Sequence, residues 1–230
     1  MIKGIFFDAA GVLYRRSSPT ADFALALLKQ SEFSTQMADE NRDHLERMRV
    51  DASMGQTSHE NYWHQFLMFH GVTDHNQRSE MIKKIVDFSN SVLPVDGCRE
   101  ALMELKRRGF ILGIISDTIY PLEWKMKRLS MAGVADLIEI VACSTDLGMH
   151  KPHPAFYRYA VNQANLAPCQ TAFVGHDTRE LRGARRAGMM TVAVFYEEGV
   201  KADHYCDTMS DLTLIPEFQE AAVVEERRSR

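Results

Sequence analysis

The fold is decided by the stretch Met1-Ile-Lys-Gly-Ile-Phe-Phe-Asp-Ala-Ala-Gly-Val-Leu13. Its apolar run is too short for a helix and ends at Asp8, and Gly11 then allows the backbone to turn away. This pattern predicts a buried strand with a carboxylate at its end. In open α/β sheets ligands bind beyond the carboxyl ends of the strands, so Asp8 is a candidate nucleophile or metal ligand. If this strand is considered alone, the simpler interpretation is that Asp8 only caps the turn that follows it.

The composition is that of an ordinary globular protein. The chain has 230 residues, of which 45% are hydrophobic and 25% charged, and its net charge is −4. No long basic run is present, so we expect no nucleic-acid partner. No apolar stretch reaches the ~18 residues of a membrane span, and the chain enters a strand without a leader pattern, so we expect a cytoplasmic protein without a membrane partner. The cysteines lack CxxC spacing and are predicted to be reduced thiols: Cys98, Cys143, Cys169 and Cys206.

Helical periodicity replaces the strand pattern after Leu13. Apolar residues recur at helical spacing from Phe23 onwards, and Ser58 is a plausible N-cap for a helix that ends at Gly71. We find no strand pattern between Leu13 and Phe110. The sequence therefore predicts a core domain of residues 1–14 and 93–230, interrupted by an all-helical domain of residues 15–92.

Strands and helices alternate from residue 96 onwards. Apolar strands are predicted at residues 110–115, 137–142, 171–174 and 190–195. Helices are predicted between them, and the tail from Val223 to Arg230 is expected to be frayed. Strands that alternate with helices of this length predict an α/β fold with a doubly wound parallel sheet.

Polar residues stand at the predicted turns that follow the strands. In chain order they are Asp8, then Ser116, Asp117 and Thr118, then Lys151, then His176, Asp177 and Glu180. All of these turns should face one crevice. A hydroxyl and loop amides beside a lysine form an anion site, and a carboxylate that faces this site can attack the group held there.

Four sequence motifs carry a family resemblance. They span Phe6 to Leu13, Gly113 to Asp117, His150 to Phe156, and Val174 to Glu180. In this order they resemble the haloacid dehalogenase superfamily, whose members have a Rossmann-like core, and the helical insert resembles the family's cap domain. The resemblance implies a hydrolase of a small anionic metabolite.

The same resemblance implies a role for each matching residue. Asp8 would be the nucleophile that forms an aspartyl intermediate, Ser116 an anion ligand, and Lys151 the charge that holds Asp8 and substrate together. The substrate would also lie against Gly11, Asp117 and Thr118.

Ala10 departs from the family's phosphatases, which carry a second Asp there as general acid/base. Relatives that cleave carbon–phosphorus bonds resemble this chain in having Ala, but they use a cap lysine, and Lys29, Lys83 and Lys84 match no such pattern. The metal-free dehalogenases also lack the acid.

The second departure concerns the metal. His176 follows the glycine of the fourth motif, where metal-dependent members place an Asp. Mg²⁺ prefers oxygen ligands. The implied set would be Asp8 and the Ala10 carbonyl, with Asp177 or Glu180 supplying the third oxygen.

Three functions are compatible with these departures. The first is hydrolysis of a phosphate ester with impaired acid/base catalysis, with Mg²⁺ as the implied cofactor. The second is a metal-free displacement at carbon, as in haloacid dehalogenases, which needs neither a proton donor nor a metal. The third is an inactive binding or regulatory protein. We expect the first.

Overall fold

The computed structural model describes residues 1–219, in which a parallel sheet is flanked by helices. In chain order the elements are β1 Gly4–Phe7, β2 Tyr14–Arg15, α1 Thr20–Gln30, α2 Asp39–Ser53, α3 His59–Phe69, α4 His75–Asn90, β3 Leu93–Pro94, α5 Cys98–Arg107, β4 Ile111–Ser116, α6 Leu122–Met131, β5 Ile140–Cys143, α7 Ser144–Leu147, α8 Pro154–Gln163, β6 Thr171–Gly175, α9 Thr178–Ala187, β7 Met190–Val194 and β8 His204–Cys206. The predicted tail from Val223 to Arg230 lies outside the described residues.

The main sheet has the strand order β5-β4-β1-β6-β7-β8, and every neighbouring pair in it is parallel. Strand β1 is buried along its whole length, between β4 and β6. Its side chains alternate between two cores, because successive residues of a strand point to opposite faces. Phe7 joins the core that contains Leu102 of α5, and Phe6 joins the core that contains Phe156 of α8. The predicted doubly wound α/β fold is thereby confirmed.

Helices α1 to α4 occupy the segment between β2 and β3 and enclose a hydrophobic cluster of their own, which includes Trp63. The predicted cap of α3 is present, since Ser58 Oγ accepts a hydrogen bond from the Asn61 amide at 3.1 Å. Gly71 follows this helix with φ 87°, a conformation that favours glycine.

Three strands were not predicted. Strands β2 and β3 form an antiparallel pair, Tyr14 opposite Pro94, through which the chain enters and leaves the helical segment. The expectation of no strand between Leu13 and Phe110 is therefore wrong. Two-residue strands are too short to show periodicity, and β8 is a short edge strand with mixed burial. Strand β5 also begins later than predicted, because residues 135–137 form a 3₁₀ turn.

None of the helices in residues 1–219 is long and apolar enough to cross a membrane. All four cysteines are free thiols, and three of them are buried. Burial raises the pKa of Cys98 to about 12 and the pKa of Cys206 to about 11, which keeps these thiols protonated and unreactive.

A close contact between α9 and the loop after α7 sets the position of Lys151. Gly183 of α9 faces Pro152, and a Cβ atom added at Gly183 would lie 2.6 Å from the Pro152 carbonyl oxygen. The loop can approach α9 this closely because residue 183 has no side chain.

We expect Gly183→Ala to destabilise the protein by about 1–3 kcal/mol, because the new methyl group overlaps the Pro152 backbone. This sign is opposite to that of helix propensity, by which alanine is favoured over glycine by ~1 kcal/mol. Urea unfolding measures the difference, with Arg182→Ala at the neighbouring exposed position of α9 as the control. A higher unfolding midpoint for Gly183→Ala would show that the contact is not tight.

Candidate active site

Asp8 stands directly after β1, where the turns that follow β4 and β6 meet it. Its amide donates a hydrogen bond to the Val174 carbonyl at 2.9 Å, which extends the pairing with β6 by one residue. The side chain of Asp8 is 9% exposed, so little water reaches the carboxylate. The backbone therefore holds the candidate nucleophile at a defined depth in the crevice.

Lys151 lies between two carboxylates. Its Nζ is 2.6 Å from Asp8 Oδ1 and 2.9 Å from Glu180 Oε2, and its side chain is 1% exposed. Burial alone would lower the pKa of Lys151, but the charges of Asp8, Glu180 and Asp117 outweigh burial and raise that pKa. Lys151 therefore stays protonated, and we call these three residues, Asp8, Lys151 and Glu180, the ion triad.

Glu180 and Asp117 complete the surroundings of Lys151. Burial raises the pKa of Glu180 to about 7, against the opposing effect of Lys151. Asp117 Oδ1 accepts a hydrogen bond from the Lys151 amide at 3.1 Å, and burial also raises the pKa of Asp117. The site thus gathers three carboxylates around one ammonium group.

Ser116 is held by a lysine that the sequence analysis did not identify. Lys125 of α6 donates hydrogen bonds to Ser116 Oγ at 2.7 Å and to the Tyr14 hydroxyl at 2.9 Å. An ammonium group can only donate, so Ser116 Oγ accepts from Lys125, and its own hydroxyl donates to the Asp117 carbonyl oxygen at 3.3 Å. The arrangement suits an anion site with Lys125 directly behind Ser116.

Sequence reasoning missed Lys125 because a helix lysine is usually solvated. Arg128, three residues further along α6, was missed for the same reason. Its guanidinium is buried, donates hydrogen bonds to Asn90 Oδ1 at 3.1 Å and Ser89 Oγ at 3.2 Å, and lies 4.6 Å from the centre of the Tyr120 ring. The spacing of these two cations, three residues apart, is the sequence signal that places them on one helix face.

The first turn brings Gly11 and His176 together. Gly11 has φ 84°, and a Cβ atom there would lie 2.8 Å from His176 Cε1, so Gly11 contacts the imidazole ring. His176 Nδ1 lies 3.9 Å from Asp8 Oδ2 and is buried without a hydrogen-bond partner among residues 1–219. The imidazole therefore faces the carboxylate oxygen of Asp8 that Lys151 does not contact.

Two of the predicted residues are engaged in local structure. Asp177 is exposed, and its Oδ1 caps α9 by accepting hydrogen bonds from the Arg179 amide at 2.7 Å and the Glu180 amide at 3.0 Å. The Thr118 hydroxyl accepts a hydrogen bond from the Tyr120 amide at 3.0 Å within its own turn. The structure brings Asp8, Ser116, Asp117, Lys151 and Glu180 into one crevice, with Asp177 and Thr118 at its edge.

The donors around Asp8 do not form the oxygen shell that Mg²⁺ prefers. Glu180 Oε2 is in contact with Lys151, Asp177 Oδ1 accepts two amide hydrogen bonds, and His176 offers a nitrogen. Among residues 1–219, no group of three or more His, Cys, Asp or Glu side chains is arranged to hold a metal ion. The residues present thus do not fit the implied magnesium site.

Comparison with known proteins identifies related sequences and folds. A model of the haloacid dehalogenase-like hydrolase family matches residues 5–194. The glyceraldehyde 3-phosphate phosphatase of Methanocaldococcus jannaschii is 27% identical over 220 residues, which cover 93% of each chain.

Solved structures agree on the fold. The 2-haloacid dehalogenase of Pseudomonas syringae pv. Tomato DC3000 is 20% identical, with a TM-score of 0.69 over 96% of this chain and 99% of that one. A phosphatase of Thermococcus onnurineus is 20% identical, with a TM-score of 0.62 over 93% and 97%. At these identities the similarity establishes the architecture only.

We expect Lys151→Met to destabilise the protein by about 3–5 kcal/mol, because two buried carboxylates then lose their shared cation. Turnover should be lost as well. Adding Glu180→Gln should recover part of the stability, since only one of the two charges then remains. Urea unfolding of both single variants and the double variant measures this coupling. If the free-energy changes of the two single variants sum to that of the double variant within about 0.5 kcal/mol, Lys151 and Glu180 do not interact.

Proposed function

Because this chain belongs to the haloacid dehalogenase-like hydrolase family, we propose that it hydrolyses a small phosphate ester with Asp8 as the nucleophile. The 2.6 Å contact between Lys151 and Asp8 carries this proposal, since it holds the Asp8 carboxyl group in place at the end of β1. The similarity to a phosphatase over 93% of the chain supports phosphoryl transfer as the reaction. A cytoplasmic location and a cap role for residues 15–92 belong to the same proposal.

The first step forms a bond between Asp8 and phosphorus. Asp8 Oδ2 is not in contact with Lys151 and attacks the phosphoryl group, while the P–O bond to the alcohol breaks and its electron pair leaves with the alcohol oxygen. Lys151 and the Ser116 hydroxyl stabilise the negative charge on the phosphoryl oxygens. The second step is attack of water on the aspartyl phosphate, which releases phosphate and restores Asp8.

The leaving alcohol receives no proton from residue 10, because Ala10 carries only a methyl group. General acid catalysis contributes typically about 10²–10⁴-fold, so an ester with a poor leaving group should react slowly. The proposed natural substrate is therefore an ester whose alcohol is a good leaving group. An assay with and without Mg²⁺ tests whether the reaction depends on the metal that the family resemblance implies.

Displacement of halide from a haloacid is the second candidate. Two observations favour it. Ala10 removes a proton donor that a halide would not need. His176 Nδ1, which has no hydrogen-bond partner within the described residues 1–219, lies 3.9 Å from Asp8 Oδ2, where it could accept a proton from water that attacks the aspartyl ester. In this reaction Asp8 forms its bond to carbon instead of phosphorus, and the halide leaves with the bonding electrons.

A panel of aryl phosphates, alkyl phosphates and 2-haloacids, with and without Mg²⁺, tests the proposed function. We expect turnover of aryl phosphates, slower turnover of alkyl phosphates, and complete loss in Asp8→Asn, because the amide cannot act as the nucleophile. Asp87→Asn, at an exposed position of α4, is the matched control. Release of halide without metal, in the absence of phosphatase activity, would replace the phosphatase proposal with the dehalogenase one.

Ala10→Asp tests what the missing acid does. We expect hydrolysis of alkyl phosphates to rise by as much as about 10²-fold, because a carboxyl group can then protonate the leaving alcohol. Aryl phosphates should gain less, so the ratio of aryl to alkyl rates should fall. Steady-state kinetics on a matched pair of esters gives this ratio. A variant that gains on neither class would show that position 10 does not reach the leaving group.

A further inference from the structure

A cavity of about 240 Å³ opens beside Asp117 and Thr118, which follow β4, at the junction of the helical segment and the sheet. Four cationic side chains line it: Arg16, Arg49, Lys125 and Arg128. Arg49 is already paired with Glu46 at 2.6 Å. Of the described residues that line it, Asp117 alone is a carboxylate, and its Oδ1 accepts a hydrogen bond from the Lys151 amide. The wall of this cavity therefore carries an excess of positive charge.

Two of these cations are buried and have no ion-pair partner in the part of the chain that the structure describes. Lys125 is 2% exposed and Arg128 is 1% exposed. Their hydrogen-bond partners are the neutral groups of Ser116, Tyr14, Ser89 and Asn90, and within residues 1–219 neither forms an ion pair. Lysine and arginine are almost never fully buried unless they are paired, because an unpaired charge loses its hydration.

The protein itself offsets only part of this charge. Ser89 and Asn90 lie in the last turn of α4, and a helix C-terminus carries roughly half a negative charge. Arg128 contacts both residues, and Arg16 Nε donates a hydrogen bond to the Ser89 carbonyl at 2.8 Å. The Tyr120 ring beside Arg128 adds a cation–π contact. These groups fall short of balancing three cations.

We propose that the substrate carries a second anionic group, which binds Arg128 and Lys125 in this cavity while its phosphoryl group is held at Ser116 and Lys151. This inference rests on the proposed function, because it places the reacting group beside Asp8. Lys125 touches Ser116 and so lies at the boundary of the two anion sites. Because Lys125 borders both sites, the linker between the two anions is short. A phosphorylated small carboxylic acid has this chemistry.

Binding of two phosphonates that cannot be hydrolysed tests the inference. The probes are 3-phosphonopropionate, which has a carboxylate, and n-propylphosphonate, which has a methyl group in its place. We expect calorimetry to show that 3-phosphonopropionate binds about 10-fold to 100-fold more tightly than n-propylphosphonate. This is the gain in affinity that one charge-assisted hydrogen bond gives. In Arg128→Gln this ratio should fall below about 3-fold, and Arg128→Lys should retain part of it.

Lys127→Gln is the control, because Lys127 is an exposed lysine on the same helix. It should leave the ratio unchanged. Equal affinities of the two probes for the unaltered protein would overturn the inference, and this comparison needs no variant to fold. The inference would also be overturned if folded Arg128→Gln protein kept the same ratio of affinities for the two probes. Arg128 would then only stabilise the packing of α6 against α4.

The design separates this inference from the proposed function. Neither probe has an ester bond, so binding does not depend on turnover. A preference for 3-phosphonopropionate in a protein without phosphatase activity supports the second anion site and contradicts the reaction. Equal binding in an active phosphatase contradicts the second anion site and leaves the reaction standing.

Discussion

The structure of the site depends on one shared cation. Lys151 contacts Asp8 at the end of β1 and Glu180 in the first turn of α9, and all three side chains are largely buried. Removing any one of them leaves the charges of the other two unbalanced, and at this depth water cannot solvate the excess charge. The adjacency of β1 and β6, and the close packing of Pro152 on Gly183, both serve to keep these groups in contact.

The net charge of the ion triad makes a further cation necessary for binding an anion. Two carboxylates already neutralise Lys151, so with Glu180 ionised the triad has a net charge of about −1 and does not attract an anion by itself. Lys125 supplies positive charge directly behind Ser116. Attraction for the proposed anionic substrate therefore comes in large part from α6, while Lys151 chiefly holds Asp8, the proposed nucleophile, in position.

Arg128 and Arg16 connect this charge to the helical segment. Both contact the last turn of α4, immediately before the chain returns to the sheet through β3. Trp63 of α3 lines the same cavity and donates a hydrogen bond to the Tyr120 hydroxyl at 3.2 Å. An anion in the cavity would lie against groups from both parts of the protein, so its binding and the position of the helical segment are physically linked.

Much of the fold and part of the site follow from the sequence alone. The apolar run that ends at Asp8, the glycine that follows it and the alternation of strands with helices are local patterns, and each is readable from a few consecutive residues. They determined the sheet, the position of Asp8 after β1 and the order of Ser116, Lys151 and Glu180 along the chain. The very short strands carry no such pattern and were missed.

Only the tertiary structure decided the charge pairing. Glu180 contacts Lys151, and Lys125 contacts Ser116 and Tyr14, because the strand order places loops from distant parts of the chain side by side. His176 faces Asp8 for the same reason. A lysine on a helix has the same local pattern whether water or a buried hydroxyl surrounds it. Its burial is a property of the packed chain, and burial is what turns Lys125 and Arg128 from solvated charges into candidate ligands.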